Sequence, residues 1–141
     1  MNRLLKIVLP AAAFLALAAV PHWVAAHHST TMFDHSKTVT ITGTVVELRW
    51  TNPHVSLLVN GTVNADEPPT LWLLEMTSPG NLVRAGGWTR TAVKPGDRVE
   101  IEMSPLRDST QHGGALKKLT LLDTGQVFTA NIRAQEMPGL E

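Results

Sequence analysis

The pattern of apolar and polar positions predicts a protein built mainly from β-strands. Five stretches are rich in apolar and β-branched residues, and most place an apolar side chain at every second position, as a half-buried strand does. They cover residues 38–50, 55–59, 70–76, 98–103 and 115–122. Turn-forming residues separate them, among them Lys94-Pro95-Gly96-Asp97, whose Pro and Gly suit a type II turn.

The first stretch predicts a long, bent strand. Its apolar positions are odd-numbered up to Val45 and even-numbered from Val46 to Trp50. Such a change of phase, close to Gly43, indicates a β-bulge or a sharp bend, which lets one strand serve two sides of a barrel. After the second strand, Asn60-Gly61 predicts a hairpin turn.

A short helix is predicted between the third and fourth strands. Ser78 can cap it, Pro79 suits the first helical position, and Gly86-Gly87 can end it.

The order of three strands, a short helix and two further strands is that of an OB-type barrel. We therefore expect an all-β fold with one short helix over residues 38–128. A β-sandwich is the alternative, but it usually needs more strands. The expected core contains Val39, Ile41, Val45, Leu57, Leu73, Val99, Ile101 and Leu119.

The N-terminal 26 residues have the layout of an export signal. A basic start precedes an apolar run over residues 7–20, and Val24 and Ala26 then occupy positions −3 and −1 of a cleavage site. The run is shorter than the about 20 residues that a membrane span needs, which makes an uncleaved anchor the weaker alternative. We expect cleavage between Ala26 and His27 and a periplasmic or secreted protein.

Composition excludes several classes of function. The chain has no cysteine, so disulfides, thiolate metal sites and thiol catalysis are excluded. Its formal net charge is zero and only 5% of its residues are aromatic, so neither a basic footprint nor a base-stacking platform for nucleic acid is expected. No catalytic motif is present, and we expect no enzyme. The expected partner is a small ligand or a periplasmic protein.

Histidines supply the candidate chemistry, beginning with the His-rich segment 27–37 that would start the processed chain. Cleavage after Ala26 places a free α-amine beside the ring of His27, and the two can chelate one metal; imidazole ligands suit copper. His54 can supply a third nitrogen. We therefore predict a divalent metal site, with copper as the leading metal, from His27, His28 and His54. A metal-free ligand- or protein-binding module is the alternative.

The sequence also resembles a known family along nearly its whole processed length. The matching strings are Ala26-His27-His28-Ser29, Met32-Phe33-Asp34, Val39 to Gly43, Trp50-Thr51-Asn52-Pro53-His54, Gly87-Trp88-Thr89-Arg90, Lys94-Pro95-Gly96-Asp97, Pro105-Leu106-Arg107-Asp108 and Gly113-Gly114. On these residues the chain resembles the domain of unknown function 6152 family of small exported bacterial proteins. The resemblance implies no catalytic residues, since the family is uncharacterised. Residues 66–69 and the tail 129–141 look variable.

Overall fold

The computed structural model describes residues 32–130, which form a mostly β-sheet protein with one short helix. The elements are β1 (Val39–Arg49), β2 (Ser56–Thr62), β3 (Thr70–Glu75), α1 (Pro79–Gly86), β4 (Arg98–Pro105), β5 (Gly113–Leu121) and β6 (Val127–Thr129). The predicted strands and helix are therefore confirmed, and β6 is an addition. Within residues 32–130, no helix is long and apolar enough to cross a membrane.

Five of the strands close into a barrel. β1 pairs antiparallel with both β2 and β4, β2 pairs with β3, and β4 pairs with β5. A short parallel pairing of β3 with β5, in which Leu73 lies opposite Gly113, closes the circuit. This order of strand pairing, with a helix between β3 and β4, is that of an OB-type barrel. The predicted fold class is confirmed, and β6 lies beside β5 as an appended strand.

The bend of β1 is a β-bulge. The pairing of β1 with β2 shifts register between Val45 and Glu47, and the extra residue, Val46, is exposed. Beyond the bulge, Leu48 and Trp50 are the side chains that pack against the core. The predicted change of phase is therefore real, although the bulge itself lies at Val46 and not at Gly43.

Gly43 has a different role, because it allows β1 and β2 to approach closely. It pairs with Gly61 across the two strands. A Cβ atom on Gly43 would lie 2.5 Å from the carbonyl oxygen of Asn60 and 2.7 Å from the Cα of Gly61.

The hairpin turn predicted at Asn60-Gly61 is wrong, because both residues lie inside β2. The connection to β3 is the longer segment 63–69.

The barrel core contains the predicted residues with one exception. Ile41, Val45, Leu57, Val99, Ile101 and Leu119 are buried, and half-buried Val39 packs against them. Leu73 is 44% exposed, so its place in the predicted core is wrong. β3 is apolar on both faces, and its pairing with β2 and β5 turns Trp72 and Leu74 inward instead.

The helix packs at the end of the barrel where β3 finishes. The Ser78 hydroxyl accepts a hydrogen bond from the Asn81 N–H at 3.4 Å, and Gly87 ends the helix in the left-handed region with φ of 66°. Trp88 follows, fully buried, with its indole N–H donating to the carbonyl oxygen of Thr129 at 2.9 Å. Within residues 32–130 no helix covers the opposite end of the barrel, and there the molecule has a cleft.

Candidate functional site

A cleft of about 600 Å³ lies at the barrel mouth, where β1, β3 and β5 begin and β2 and β4 end. Three segments that are distant in the sequence form its walls. They are residues 34–39, the β2–β3 connection 63–69 and the β4–β5 connection 106–112. The barrel topology brings them together, because all three leave or enter strands at this same end.

Trp72 and His112 form an aromatic pair in this cleft. Their ring centroids lie 5.0 Å apart with a tilt of 58°. The Trp72 indole N–H donates to the carbonyl oxygen of Gly61 at 3.1 Å, and the carbonyl oxygen of His112 accepts from the Leu73 N–H at 3.2 Å. Trp72 is 9% exposed, whereas His112 is exposed to solvent. The cleft therefore has a fixed indole at its base and a histidine ring at its surface.

Residues 32 and 33, the first that the structure describes, pair with the chain that leaves β4 and so form one wall of the cleft. Phe33 forms a β-bridge with Leu106 and is only 6% exposed. The Arg107 N–H donates to the carbonyl oxygen of Met32 at 2.9 Å on one side of this bridge. Part of the His-rich N-terminal segment is thus packed onto the barrel.

The polar groups of the cleft carry charges of both signs. Asp34 and Lys37 form an ion pair at 3.3 Å, and Glu67 and Arg107 also line the cleft. A hydrogen bond from the Ser36 hydroxyl, assisted by Lys37, lowers the pKa of Asp34 to about 2, although partial desolvation opposes the shift. The Asp34 carboxylate is therefore ionised at any physiological pH.

The histidines of the predicted metal site are not all covered by the structure. His27 and His28 lie outside the described residues. His54 is half-buried in the connection between β1 and β2, next to a cis Asn52–Pro53 peptide bond, and it does not line the cleft. Within residues 32–130, no group of three or more His, Asp or Glu side chains is arranged to hold a metal ion. The site of His27, His28 and His54 stays a prediction.

The residues that make the cleft could not be identified from the sequence. Trp72 stands in a strand that is apolar on both faces, and His112 stands in a polar connection, so neither has a distinctive local pattern. The only local signal is Gly113-Gly114, which lets β5 approach β3 and β4 closely. Long-range pairing of β3 with β5 is what brings Trp72 and His112 together.

The fold and the cleft define a small OB-type barrel module with a cleft at its mouth. The chain belongs to the family of unknown function DUF6152, which it matches over residues 14–115, as its resemblance led us to expect. Comparisons with curated proteins and with solved structures give no match. The family has no assigned activity.

Proposed function

We propose that this protein is an exported binding module that holds a small ligand in the cleft at the barrel mouth. The observation that carries the proposal is the cleft itself, since about 600 Å³ falls within the range of small-molecule sites, roughly 300–1,000 Å³. Such sites combine an apolar lining with a few polar groups that orient the ligand. This cleft has that composition.

The lining supports a flat, partly apolar ligand that carries a charged group. Trp72 and His112 offer aromatic surface, and Val39 and Leu106 add aliphatic surface. Two cations line the cleft, Arg107 and Lys37, of which Lys37 forms an ion pair with Asp34 at 3.3 Å, and both suit an anionic group on a ligand.

A negatively charged side chain introduced into the cleft is expected to weaken the binding of an anionic ligand. Val63 is 48% exposed and lines the cleft, so Val63→Glu fills the space and repels an anionic probe without disturbing the core. With anilinonaphthalene sulfonate as the probe, we expect binding to weaken about tenfold or more, equivalent to about 1.4 kcal/mol. Fluorescence titration of the dye measures the effect.

The matched control is Val83→Glu, which changes a similarly exposed valine on α1 that does not line the cleft. We expect its affinity for the dye to equal that of the unmodified protein. Equal binding by Val63→Glu and the unmodified protein would show that the dye binds elsewhere, and it would remove the support for the cleft as a ligand site.

Export is supported by the sequence of residues 1–26. The basic start, the short apolar run and the small residues Val24 and Ala26 are the three parts of a cleavable signal. We expect the chain expressed in a bacterial host to be recovered from the periplasm with His27 as its first residue. Intact mass and N-terminal sequencing measure this. A chain that retains Met1 in the membrane fraction would contradict it.

A second candidate function is the binding of a divalent metal, with copper as the leading metal, at the processed N-terminus. Cleavage would create an α-amine beside the His27 ring, and its pKa of about 8 lets a metal displace its proton near neutrality. One observation favours this candidate. Met32, five residues along the chain from His27, is hydrogen-bonded to Arg107 in the wall of the cleft.

A further inference from the structure

We infer that Arg107 and His112 form an anion-binding pair on one wall of the cleft, and that the ligand is an organic anion with a planar, partly apolar body. This assignment rests on the proposed function, in which the cleft holds a small ligand. It adds the sign of the ligand's charge and the two side chains that bind the charged group.

Arg107 and His112 are neighbours across the hairpin that joins β4 and β5. The pairing of these strands continues beyond β4, because the Leu106 N–H donates to the carbonyl oxygen of Gly113 at 3.1 Å. The next pair toward the turn in this register is Arg107 with His112. Directly opposite residues of an antiparallel pair have Cβ atoms about 4.5–5.5 Å apart, with both side chains on one face. Both side chains line the cleft, so their donors lie within reach of one ligand group.

The carboxylate of the same hairpin is held within its turn. One oxygen of Asp108 accepts the Thr110 N–H at 3.0 Å and the Thr110 hydroxyl at 2.6 Å, and the other accepts the Gln111 side-chain amide at 2.9 Å. The hydrogen bond from the Thr110 hydroxyl is the main cause that lowers the pKa of Asp108. Asp108 does not line the cleft, so the hairpin presents donors there and keeps its negative charge in the turn.

A guanidinium beside an imidazole is well suited to bind an anion. The guanidinium of Arg107 can donate two parallel N–H groups to a carboxylate or sulfonate, and an imidazole N–H supplies a further donor. The exposed His112 ring rests against Trp72 with ring centroids 5.0 Å apart, so it is oriented before a ligand arrives. The aliphatic side chains of Val39 and Leu106 line the same cleft and can contact the body of the ligand.

The carboxylates that line the cleft are engaged by neighbours in their own segments. Asp34 forms its ion pair with Lys37 at 3.3 Å and accepts the Ser36 hydroxyl at 2.6 Å. Glu67 accepts the side-chain amide of Asn64 at 2.9 Å. These partners make both carboxylates less available to a cationic ligand, which favours an anion as the occupant.

Two dyes that differ only in the anionic group test the inference. Anilinonaphthalene sulfonate carries a sulfonate, and phenylnaphthylamine is the same molecule without it. We expect the affinity for the sulfonate dye, relative to the neutral dye, to fall about tenfold in Arg107→Gln and in His112→Phe, because each variant loses hydrogen bonds to a charged group. The affinity for the neutral dye should stay that of the unmodified protein, since phenylalanine keeps a ring against Trp72. Fluorescence titration measures both affinities.

Arg90→Gln is the matched control, because Arg90 is also an exposed arginine and does not line this cleft. We expect both of its affinities to equal those of the unmodified protein. An equal fall of the affinity ratio in Arg90→Gln would show that the dye responds only to the net charge of the protein, and it would overturn the inference.

The remaining outcomes separate the inference from the proposed function. An unchanged ratio in both Arg107→Gln and His112→Phe would overturn the inference alone. A larger fall in Lys37→Gln than in either variant would also overturn it, in favour of an anion bound on the wall of residues 34–39. If Val63→Glu weakens the binding of neither dye, the dyes bind outside the cleft, and both the proposed function and the inference are overturned.

Discussion

Replacing Ile101 with alanine is expected to lower the free energy of unfolding by about 2–5 kcal/mol. Ile101 is fully buried in β4, and its partners in the register are Ile41 on β1 and Leu119 on β5, which are also fully buried. Truncation would remove apolar contacts with both strands and leave a cavity that the closed barrel cannot collapse to fill. Urea unfolding followed by tryptophan fluorescence measures the change.

The neighbouring residue Glu102 provides the control, because its side chain points out of the barrel. It forms an ion pair with Lys118, and the two side chains are 33% and 39% exposed. An exposed pair contributes little, so Glu102→Ala is expected to cost less than about 1 kcal/mol. Similar costs at Ile101 and Glu102 would contradict the register of β4, since a slip by one residue exchanges the two faces.

Replacing Gly43 with alanine is expected to cost about 3 kcal/mol, at the upper end of what overpacking usually costs. The added Cβ would lie 2.5 Å from the Asn60 carbonyl oxygen and 2.7 Å from the Gly61 Cα. Both are backbone atoms of β2, so no side-chain rotation relieves the contact, and the two strands have to separate. The same unfolding measurement reports the loss.

Gly80 is the matched control, since the same substitution there meets open space. Gly80 lies in α1, and a Cβ atom on it would have no heavy atom within 4 Å. Alanine is the better helix former, so Gly80→Ala is expected to raise the free energy of unfolding by up to about 1 kcal/mol. A neutral Gly43→Ala would mean that β1 and β2 are farther apart than this structure has them.

The sequence by itself determined the elements whose signals are local. Ser78 and Pro79 begin α1 and Gly87 ends it, because capping and a left-handed residue depend only on the nearest turn of chain. The turn before β4 is equally local. Gly96 has φ of 92°, and the Asp97 N–H donates to the carbonyl oxygen of Lys94 at 3.1 Å, as the Pro-Gly pair predicted.

The local sequence pattern identifies the buried face of a strand only where the other face is polar. β4 alternates charged and apolar residues, and its inward side was predicted correctly. β3 has Leu71 and Leu73 on one side and Trp72 and Leu74 on the other, and both sides are apolar. Pairing with β2 and β5 selects the inward side, which a local pattern cannot reveal.

The cleft was decided entirely by tertiary structure. Trp72 and His112 are 40 positions apart in the sequence, and the parallel pairing of Leu73 with Gly113 is what places their rings side by side. The pairing of Phe33 with Leu106 likewise brings residues 32–37 to the same mouth. The sequence determined where strands, helix and turns lie because those depend on neighbouring residues, and barrel closure decided the site because it depends on pairings between distant ones.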